Sequence, residues 1–583
     1  MSELASWRRS TFVCAAILFA AAIGCFFIAG NSVTLHLAQA QDAPVLLLLV
    51  LSVAVFAWRS PAWRLPLRLP PSWIMLLGAL AVAGALWFGA YAVFDNYPVA
   101  RDEHMVVFDM AVYAHGYLAM PLAPFWQPYA GALVPDFLLN ERRPAGLVSA
   151  YLPMNALLRL GFSKIADPAL MNPLLAVFGG VALLDIARRT FPDDARTIWV
   201  VMLIYGLSAQ MLVGAMTLFS VTAHMALNLI WLAAFLRGGR AGHAVAIATG
   251  FVAVGLHQLA FHPVFVAPFL LWRLREGQWR LVLIYAAAYA LIVLCWAGYP
   301  LLPPVQTAVA TAAAAGETHR NFVDRVLQLL LNRTPGTIGL MVLNLLRFAA
   351  WQNFALIPLL VVGIPLAVRQ RGFARALVAG ILLWLAMVTF ILPYQGLGWG
   401  YRYLSPYLGS FALLAGLGYR DLVQRMGERA DGMVIALSAS TLVAALPILL
   451  VTSHEFARPY RELDRLIAQQ PTPFVIVDTD VDDPTDGGWA LHPLDQVRNL
   501  PDLSNRPLRF SGNRLNAQMI TALCDRGDVT VVTRRDMHGI GFAMNVPEHS
   551  PWFENLISRS AQQRPACLRP AVTDQPRLAG GRT

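Results

Sequence analysis

Apolar runs alternate with short polar loops along most of the chain. Several runs are long enough for a helix that crosses about 30 Å of hydrocarbon, and the shorter ones are bounded by the same kind of polar loop. Read in this way, the sequence predicts about thirteen membrane spans. The predicted spans are Phe12–Ala29, Pro44–Ala57, Trp73–Phe94, Met171–Ala187, Ile198–Val213, Thr217–Leu236, Ala244–Leu256, Phe261–Trp272, Leu281–Ala297, Phe354–Val368, Ala374–Leu392, Ser405–Gly418 and Met433–Val451.

Arginines mark every second loop between these runs. Arg59, Arg64 and Arg68 follow the second run, and further arginine groups follow later runs down to Arg429. Loops rich in Arg and Lys stay on the cytoplasmic side of a membrane. The N-terminus is therefore expected in the cytoplasm, and two long loops, 95–167 and 299–352, are expected on the outside.

Composition agrees with a membrane protein and excludes an ordinary soluble one. Hydrophobic residues make up 57% of the 583-residue chain and charged residues only 13%. The net charge of +10 would suggest a nucleic-acid partner in a soluble protein. Here the arginines follow the loops between spans, so we expect membrane lipids and no nucleic acid as partners.

The chain changes character after about residue 452, where it becomes polar and rich in Pro, Arg and Asp. Phe474–Val477, Leu508–Phe510 and Val529–Val532 read as short strands, and Leu515–Leu523 reads as a helix between the last two. We therefore predict a membrane domain, 1–452, and a small extracytoplasmic α/β domain, 453–583.

Two further features of the C-terminal part carry chemistry. Cys524 and Cys567 are predicted to form a disulfide if their compartment is oxidising. Asp478-Thr479-Asp480 follows a strand, as the metal-binding Asp-x-Asp of nucleotide-sugar transferases does. Aspartates at a strand end are also ordinary loop residues, and we favour that interpretation.

An acidic stretch, Asn96–Tyr113, interrupts the apolar pattern directly after the third span. If it is helical, Asp102 and Asp109 share a face, since they are seven residues apart, and Tyr113 lies four residues further on. A carboxylate on that face could act as a general base. Alternatively, Asp102 is only an N-cap and Glu103 only complements the helix dipole. The stretch alone leaves both interpretations open.

Three groups of residues, taken in order, resemble motifs of a known enzyme family. They occur at Asp102-Glu103 with Asn140-Glu141-Arg142-Arg143-Pro144, Tyr151-Leu152-Pro153 and Leu158-Arg159-Leu160-Gly161-Phe162, then at Gly255-Leu256-His257-Gln258-Leu259-Ala260-Phe261-His262-Pro263, and then at Arg402-Tyr403-Leu404-Ser405-Pro406-Tyr407. The pattern resembles the GT-C glycosyltransferases that use polyprenyl-phosphate sugars. These enzymes are related to protein O-mannosyltransferases and lipid A aminoarabinose transferases.

The resemblance implies a fold and an activity. The fold would be an α-helical polytopic GT-C-like membrane protein with interfacial helices in the first outside loop. The activity would be inverting transfer of a monosaccharide from a polyprenyl-phosphate donor to a hydroxyl of a glycan, lipid or protein acceptor. The place would be the outer face of a bacterial cytoplasmic membrane. The motifs require no cofactor, and they leave open whether a divalent metal takes part.

The resemblance also implies roles for individual residues. Asp102 is the preferred base and Glu103 its nearest rival. Guanidinium groups match phosphate oxygens and stay charged, so arginines are expected at the donor phosphate. The phosphate-binding candidates are Arg143, Arg142, Arg402 and His257, and the possible substrate-binding residues are Asp109, Tyr113, Glu141 and His262.

Departures from the family pattern keep other functions open. The family's second acidic position, expected near Thr222 to His224, holds no carboxylate, and His257 stands where a lysine is usual. A transporter or flippase of a lipid-linked glycan is one alternative, and a non-catalytic membrane scaffold is another. We interpret the C-terminal domain as an acceptor-recognition module or a lid, on its position alone.

Overall fold

The computed structural model describes residues 2–28, 33–59, 61–133, 145–313, 336–479, 496–542, 548–564 and 566–572. The protein is mostly helical, at 72%. Its α-helices are α1 Ser2–Cys25, α2 Val33–Leu37, α3 Ala43–Arg59, α4 Ser72–Phe94, α5 Arg101–Ala114, α6 Ala130–Leu133, α7 Met154–Phe162, α8 Met171–Thr190, α9 Ala195–Gly206, α10 Ala209–Ala215, α11 Val221–Arg237, α12 Gly239–Val254, α13 Phe261–Arg275, α14 Trp279–Ala297, α15 Pro303–Ala313, α16 Thr337–Ala350, α17 Leu356–Arg369, α18 Phe373–Ile391, α19 Leu408–Met426, α20 Glu428–Ser440, α21 Leu446–Ala468, α22 Ala517–Cys524, α23 Arg534–Gly539 and α24 Pro551–Gln563.

Short 3₁₀ and π segments join or extend several of these helices. Arg402–Tyr407 is a 3₁₀ turn that leads into α19, and Ala38–Asp42 is a π turn that leads into α3. Thr441–Ala445 is a π turn that links α20 to α21, so that Glu428–Ala468 is continuously helical. The predicted domain boundary at residue 452 therefore falls inside a helix.

Six helical segments of the described chain are long and apolar enough to cross a membrane, or seven if the bent pair α9 and α10 is one span. The chain is thus a membrane protein, but the predicted count of about thirteen spans is not confirmed. Four other predicted spans coincide with apolar helices of 10–17 residues, whereas a fifth helix of this kind, Thr337–Ala350, lies in the predicted outside loop 299–352. The shorter apolar helices are Phe12–Cys25, Val221–Arg237, Gly239–Val254, Thr337–Ala350 and Leu356–Arg369.

Helices α17 and α19 pack with backbones almost in contact, and glycine makes this possible. A Cβ on Gly363 would lie 2.1 Å from the carbonyl oxygen of Leu414, and a Cβ on Gly418 would lie 2.1 Å from that of Leu359. Small residues allow such close approach between helices in membranes. This contact fixes α19, and with it the 3₁₀ turn that carries Arg402.

A four-stranded parallel sheet lies within residues 453–583. Its strands are β3 Phe474–Val477, β4 Leu508–Ser511, β5 Val529–Val532 and β6 Leu568–Pro570, in the order β4-β3-β5-β6. The first three match the predicted strands closely, whereas β6 was not predicted. The predicted Cys524–Cys567 disulfide is confirmed, with the Cα atoms 5.6 Å apart.

The first outside loop packs against this sheet. β1 Met120–Pro121 and β2 Gly146–Leu147 form an antiparallel pair within the loop. Buried residues of α5 and of the segment that follows it form one hydrophobic cluster with residues of β3, β4 and β5. Phe510 in this cluster lies 5.9 Å from Tyr129 and 6.2 Å from Trp126 between ring centroids. The loop and the C-terminal sheet thus share a core.

Candidate functional site

Helix α5 begins one residue before the predicted carboxylate pair, and Glu103 caps it. The N-cap is Ala100, whose backbone N–H donates to Glu103 Oε2 at 3.1 Å. Glu103 Oε1 accepts the backbone N–H of Leu218 at 2.9 Å. Burial raises the pKa of Glu103 to about 7, although these two backbone hydrogen bonds lower it. The capping role that the sequence allowed for Asp102 therefore belongs to Glu103.

Asp102 sits at the centre of a polar cluster drawn from distant parts of the chain. The phenol of Tyr151 donates to Asp102 Oδ1 at 2.5 Å, and Arg402 donates through one guanidinium nitrogen to Oδ2. Burial raises the pKa of Asp102, but the charge of Arg402 leads the interactions that lower it, and the net shift is downward. Asp102 is therefore held as a carboxylate.

His257 lies against this cluster from the turn between α12 and α13. Its ring stacks on Tyr151, with centroids 4.4 Å apart and planes 28° apart. Burial lowers the pKa of His257 to about 4, so the imidazole is neutral near pH 7. Its Nδ1 is buried and has no hydrogen-bond partner within the described ranges. The atom is therefore available to a ligand.

Asp109 is the second carboxyl of the pocket face of α5. It is buried, and burial raises its pKa to about 8, although a hydrogen bond with Ser149 lowers it. Tyr113, one turn further on, has its phenol oxygen 3.1 Å from that of Tyr299. The face predicted for Asp102, Asp109 and Tyr113 thus exists, although Tyr113 is not part of the pocket lining.

These side chains border an open pocket with a cavity volume of about 30 Å³. Asn155 of α7 contributes a buried Oδ1 without a hydrogen-bond partner in the described part of the chain. Arg402 likewise has an unpartnered Nε. The pocket is lined by Asp102, Val106, Asp109, Tyr151, Leu152, Asn155, Ala156, Phe219, Ser220, Val221, Leu256, His257, Phe261, Arg402 and Tyr403.

The segment before α19 holds the Arg402 guanidinium in place. Arg402 donates from one terminal nitrogen to the carbonyl of Gln395 at 2.5 Å, and its backbone N–H donates to the Gln395 side chain at 2.9 Å. The guanidinium also lies 4.8 Å from the ring centroid of Phe219. Gly400 adopts a φ of +64°, where a side chain would meet Trp351. The arginine is thus preorganised by its own loop.

A buried network of side-chain amides also forms hydrogen bonds with the loop that carries Arg402. Gln210 donates to the carbonyl of Tyr401 at 2.7 Å and to the hydroxyl of Ser405 at 2.6 Å. Gln352 in turn donates to the Gln210 side chain at 3.0 Å. No sequence pattern indicates this network, because isolated glutamines in apolar runs have no recognisable spacing.

Other predicted site residues are not brought to the pocket or lie outside the description. Glu141, Arg142 and Arg143 fall in 134–144, outside the described residues. His262 is fully buried in α13, with Nδ1 2.7 Å from Asn228 Oδ1 and Nε2 2.8 Å from the phenol of Tyr289. Within the described residues, no group of three or more His, Cys, Asp or Glu could hold a metal.

Tyr151 and Asn155 are the pocket residues that sequence reasoning missed. Tyr151 stood in a recognised motif, Tyr151-Leu152-Pro153, but no role was predicted for its phenol. Asn155 lies in the first turn of α7, and the close approach of this turn to the segment that carries His257 is set by tertiary structure. The backbone N–H of Met154 donates to the Gly255 carbonyl at 3.0 Å and joins the two segments.

No protein-family model and no curated protein sequence matches the chain. Among solved structures, ArnT from Cupriavidus metallidurans in the apo state is 14% identical, with a TM-score of 0.46, over 73% of this chain and 84% of that one. ArnT from the same organism bound to undecaprenyl phosphate is 14% identical, with a TM-score of 0.48, over 86% of this chain and 89% of that one. Likeness at this level assigns no activity or substrate.

Proposed function

We propose that the protein is a membrane-embedded glycosyltransferase. It transfers a monosaccharide from a polyprenyl-phosphate donor to a hydroxyl of a glycan, lipid or protein acceptor, with inversion at the sugar carbon. The observation that carries this proposal is the contact between Arg402 and Asp102 at the wall of an open pocket. A preorganised cation beside a fixed carboxylate is what transfer from a sugar phosphate requires.

The chemistry needs a cation for the departing phosphate and a carboxylate for the positive charge that develops on the sugar. Arg402 supplies the cation, because its Nε has no hydrogen-bond partner among the described residues while its terminal nitrogens are anchored. A guanidinium fork suits phosphate oxygens. Asp102 supplies the carboxylate for the positive charge on the sugar, because it stays ionised. Neutral His257 could donate a hydrogen bond to the same phosphate or to a sugar hydroxyl.

Asp102 is better placed than Glu103 for a role in transfer. Both oxygens of Glu103 accept backbone N–H groups, and the pocket lining does not include it. A carboxylate used in this way holds two chain segments together. Asp102 lines the pocket and touches Arg402, so we propose that transfer depends on Asp102.

We also propose roles for three residues of the first loop, a location for the protein and a role for its C-terminal domain. Arg142 and Arg143 would add positive charge at the phosphate, and Glu141 would contact substrate. The protein would lie in a bacterial cytoplasmic membrane with its N-terminus inside and the C-terminal domain in the periplasm. That domain would recognise the acceptor or act as a lid, and a divalent metal is not needed for the steps described.

The test is donor consumption by purified protein. Polyprenyl-phosphate monosaccharides of several kinds are offered in detergent with candidate acceptors, and release of the free polyprenyl phosphate is measured. We expect turnover with at least one donor, and loss of turnover in Asp102→Asn. Asp185→Asn is the matched control, since Asp185 pairs with Arg189 and Arg237 away from the pocket.

Failure of this test would favour a different class of protein. Folded protein that binds glycolipid but never releases polyprenyl phosphate would contradict the transferase proposal. Movement of a fluorescent glycolipid between the leaflets of reconstituted vesicles would then indicate a flippase, and absence of movement would indicate a scaffold.

A further inference from the structure

The two pocket carboxyls of α5 have opposite surroundings. Asp102 has both oxygens occupied, one by the Tyr151 phenol and one by Arg402. Asp109 lines the same pocket, but none of the described arginines contributes to its pKa shift. Two carboxyls that share a pocket and differ in this way suit two different tasks.

The position of Arg402 decides which end of the pocket receives the phosphate. If the donor phosphate binds Arg402, it lies at the Asp102 end, because the two side chains are in contact. In an inverting displacement the attacking hydroxyl approaches the sugar carbon from the face opposite the leaving group. The group that takes the proton should therefore lie away from Arg402, across the width of a sugar.

Asp109 occupies that far position. It lies seven residues after Asp102 on the same face of α5, which at about 1.5 Å per residue is roughly 10 Å along the helix axis. This axial separation is comparable to the roughly 6.5–9.5 Å between the two carboxyl groups of inverting glycosidases. Asp102 cannot easily serve as the base in this arrangement, because it stands on the side of the leaving phosphate and both its oxygens are engaged.

We propose that Asp109, and not Asp102, accepts the proton of the acceptor hydroxyl. Asp102 then belongs to the donor end, where it positions Arg402 and stabilises the positive charge on the sugar. This assignment rests on the proposed glycosyl transfer and names the acceptor side of the same site.

The step balances without any co-reactant. The acceptor oxygen forms a bond to the anomeric carbon as its proton passes to the Asp109 carboxylate. The bond between the anomeric carbon and the phosphate oxygen breaks, and its electron pair leaves with the polyprenyl phosphate at Arg402. Asp109 later releases the proton to water, and the products are the glycosylated acceptor and polyprenyl phosphate.

The surroundings of Asp109 suit a proton acceptor. Burial raises its pKa to about 8, with a hydrogen bond from Ser149 acting in the other direction. Burial raises the pKa of Tyr113, on the same helix, and of Tyr299, and the charge of Asp109 raises both further. A base is most effective when its pKa lies near the working pH.

The experiment compares pH profiles of kcat/KM for the full-length protein, Asp109→Asn and the Asp185→Asn control between pH 5.5 and 9.5. We expect the native profile to rise with an apparent pKa near 8 and then level off. Asp109→Asn should lose about 10²–10⁴-fold in turnover and this rise, while its affinity for the donor stays within about twofold. The control should follow the native profile.

Other results would overturn the assignment. A native profile that is flat from pH 5.5 upwards, or an Asp109→Asn protein that keeps the rise, removes Asp109 from this role. If Asp109→Asn does not fold, Asp109→Glu replaces it, and an unchanged rate and apparent pKa in that variant would contradict the proposal. Native protein that consumes no donor at all refutes the proposed transfer itself, which is a different outcome.

Discussion

Glu103 joins α5 to Leu218, 115 residues further along the chain. Its Oε1 accepts the Leu218 backbone N–H at 2.9 Å, while its Oε2 caps the helix at Ala100. The neighbouring Asp102 lines the pocket. Adjacent carboxyls on one turn therefore contact different surroundings: Glu103 contacts backbone N–H groups, and Asp102 contacts the pocket. The orientation of Asp102 depends on the residue beside it.

Replacing Glu103 with Gln should destabilise the protein. The amide keeps one acceptor oxygen but turns an NH₂ group towards a backbone N–H, so one buried donor loses its partner. Such a loss costs about 1–3 kcal/mol. The unfolding temperature in detergent measures it, and Glu455→Gln, at a half-exposed ion pair with Arg458, is the control. Equal unfolding temperatures for the two variants would contradict the stabilising role of the Glu103 hydrogen bonds.

The raised pKa of Glu103 also predicts a pH dependence of stability. The folded protein keeps the proton up to about pH 7, whereas the unfolded chain loses it near pH 4.3. The folded state therefore binds more protons between these values, so the free energy of unfolding falls as pH rises from about 4.3 to 7. Unfolding temperatures across pH 5–8 should fall less in Glu103→Gln than in the native protein, and parallel curves would argue against this.

Tyr151→Phe should weaken transfer by about tenfold. The variant removes one hydrogen bond to an ionised carboxylate, worth roughly 1.5–3 kcal/mol, and Arg402 keeps part of the orientation. Loss of that bond should also raise the pKa of Asp102, because the Tyr151 hydroxyl is one of the groups that lower it. The measurement is kcat/KM against pH, with half-exposed Tyr117→Phe as control. Equal rates in both variants would remove Tyr151 from the site.

Asp42 and Arg347 form a second buried ion pair. Removing one partner should destabilise the protein more than replacing both partners with apolar residues. Arg347 Nε donates to Asp42 at 2.7 Å, Trp351 donates to the same carboxylate at 2.5 Å, and Arg347 also holds the Gly398 carbonyl at 2.7 Å. Arg347→Met leaves a buried charge alone and should cost about 3–5 kcal/mol. The double variant Asp42→Leu with Arg347→Met should recover most of that loss in thermal unfolding. A double variant as unstable as the sum of the singles would contradict this.

The Cys524–Cys567 disulfide should stabilise the C-terminal sheet. It closes a segment with a sequence separation of 43 and holds β6 beside β5, so its removal should cost about 3–4 kcal/mol. The paired Cys524→Ser and Cys567→Ser variant should unfold at a lower temperature than the oxidised protein. Reductant should bring the native protein to the same value and leave the variant unchanged. A native protein insensitive to reductant would exclude the bond in solution.

The sequence predicted local features well and long-range contacts poorly. β3 and β5 were found to the residue, because short runs of Val, Ile and Phe between turn residues indicate buried strands. The shared face of Asp102 and Asp109 followed from helical spacing. The partners of Asp102 did not follow, since Arg402 lies 300 residues away and Tyr151 reaches it through a turn in the first loop.

The predicted count of about thirteen spans is not confirmed, and hydropathy alone does not settle it. An apolar run records burial, and in a large helical protein a helix can be buried by other helices as well as by lipid. Helix α11, for example, is one of the shorter apolar helices and has Trp231 wholly buried. Charge and hydropathy along the chain do not separate these two environments.

The first loop and the C-terminal sheet share a core, so an exchange of segments between relatives would have to transfer both together. A chimera cut at residue 452 would divide Tyr129 from Met519, to whose carbonyl it donates at 3.0 Å, and would separate Trp126 from Phe510 of β4. A graft that carries residues 95–133 together with the C-terminal part keeps both halves of that core. Specificity engineering in this protein should therefore treat the two segments as one cassette.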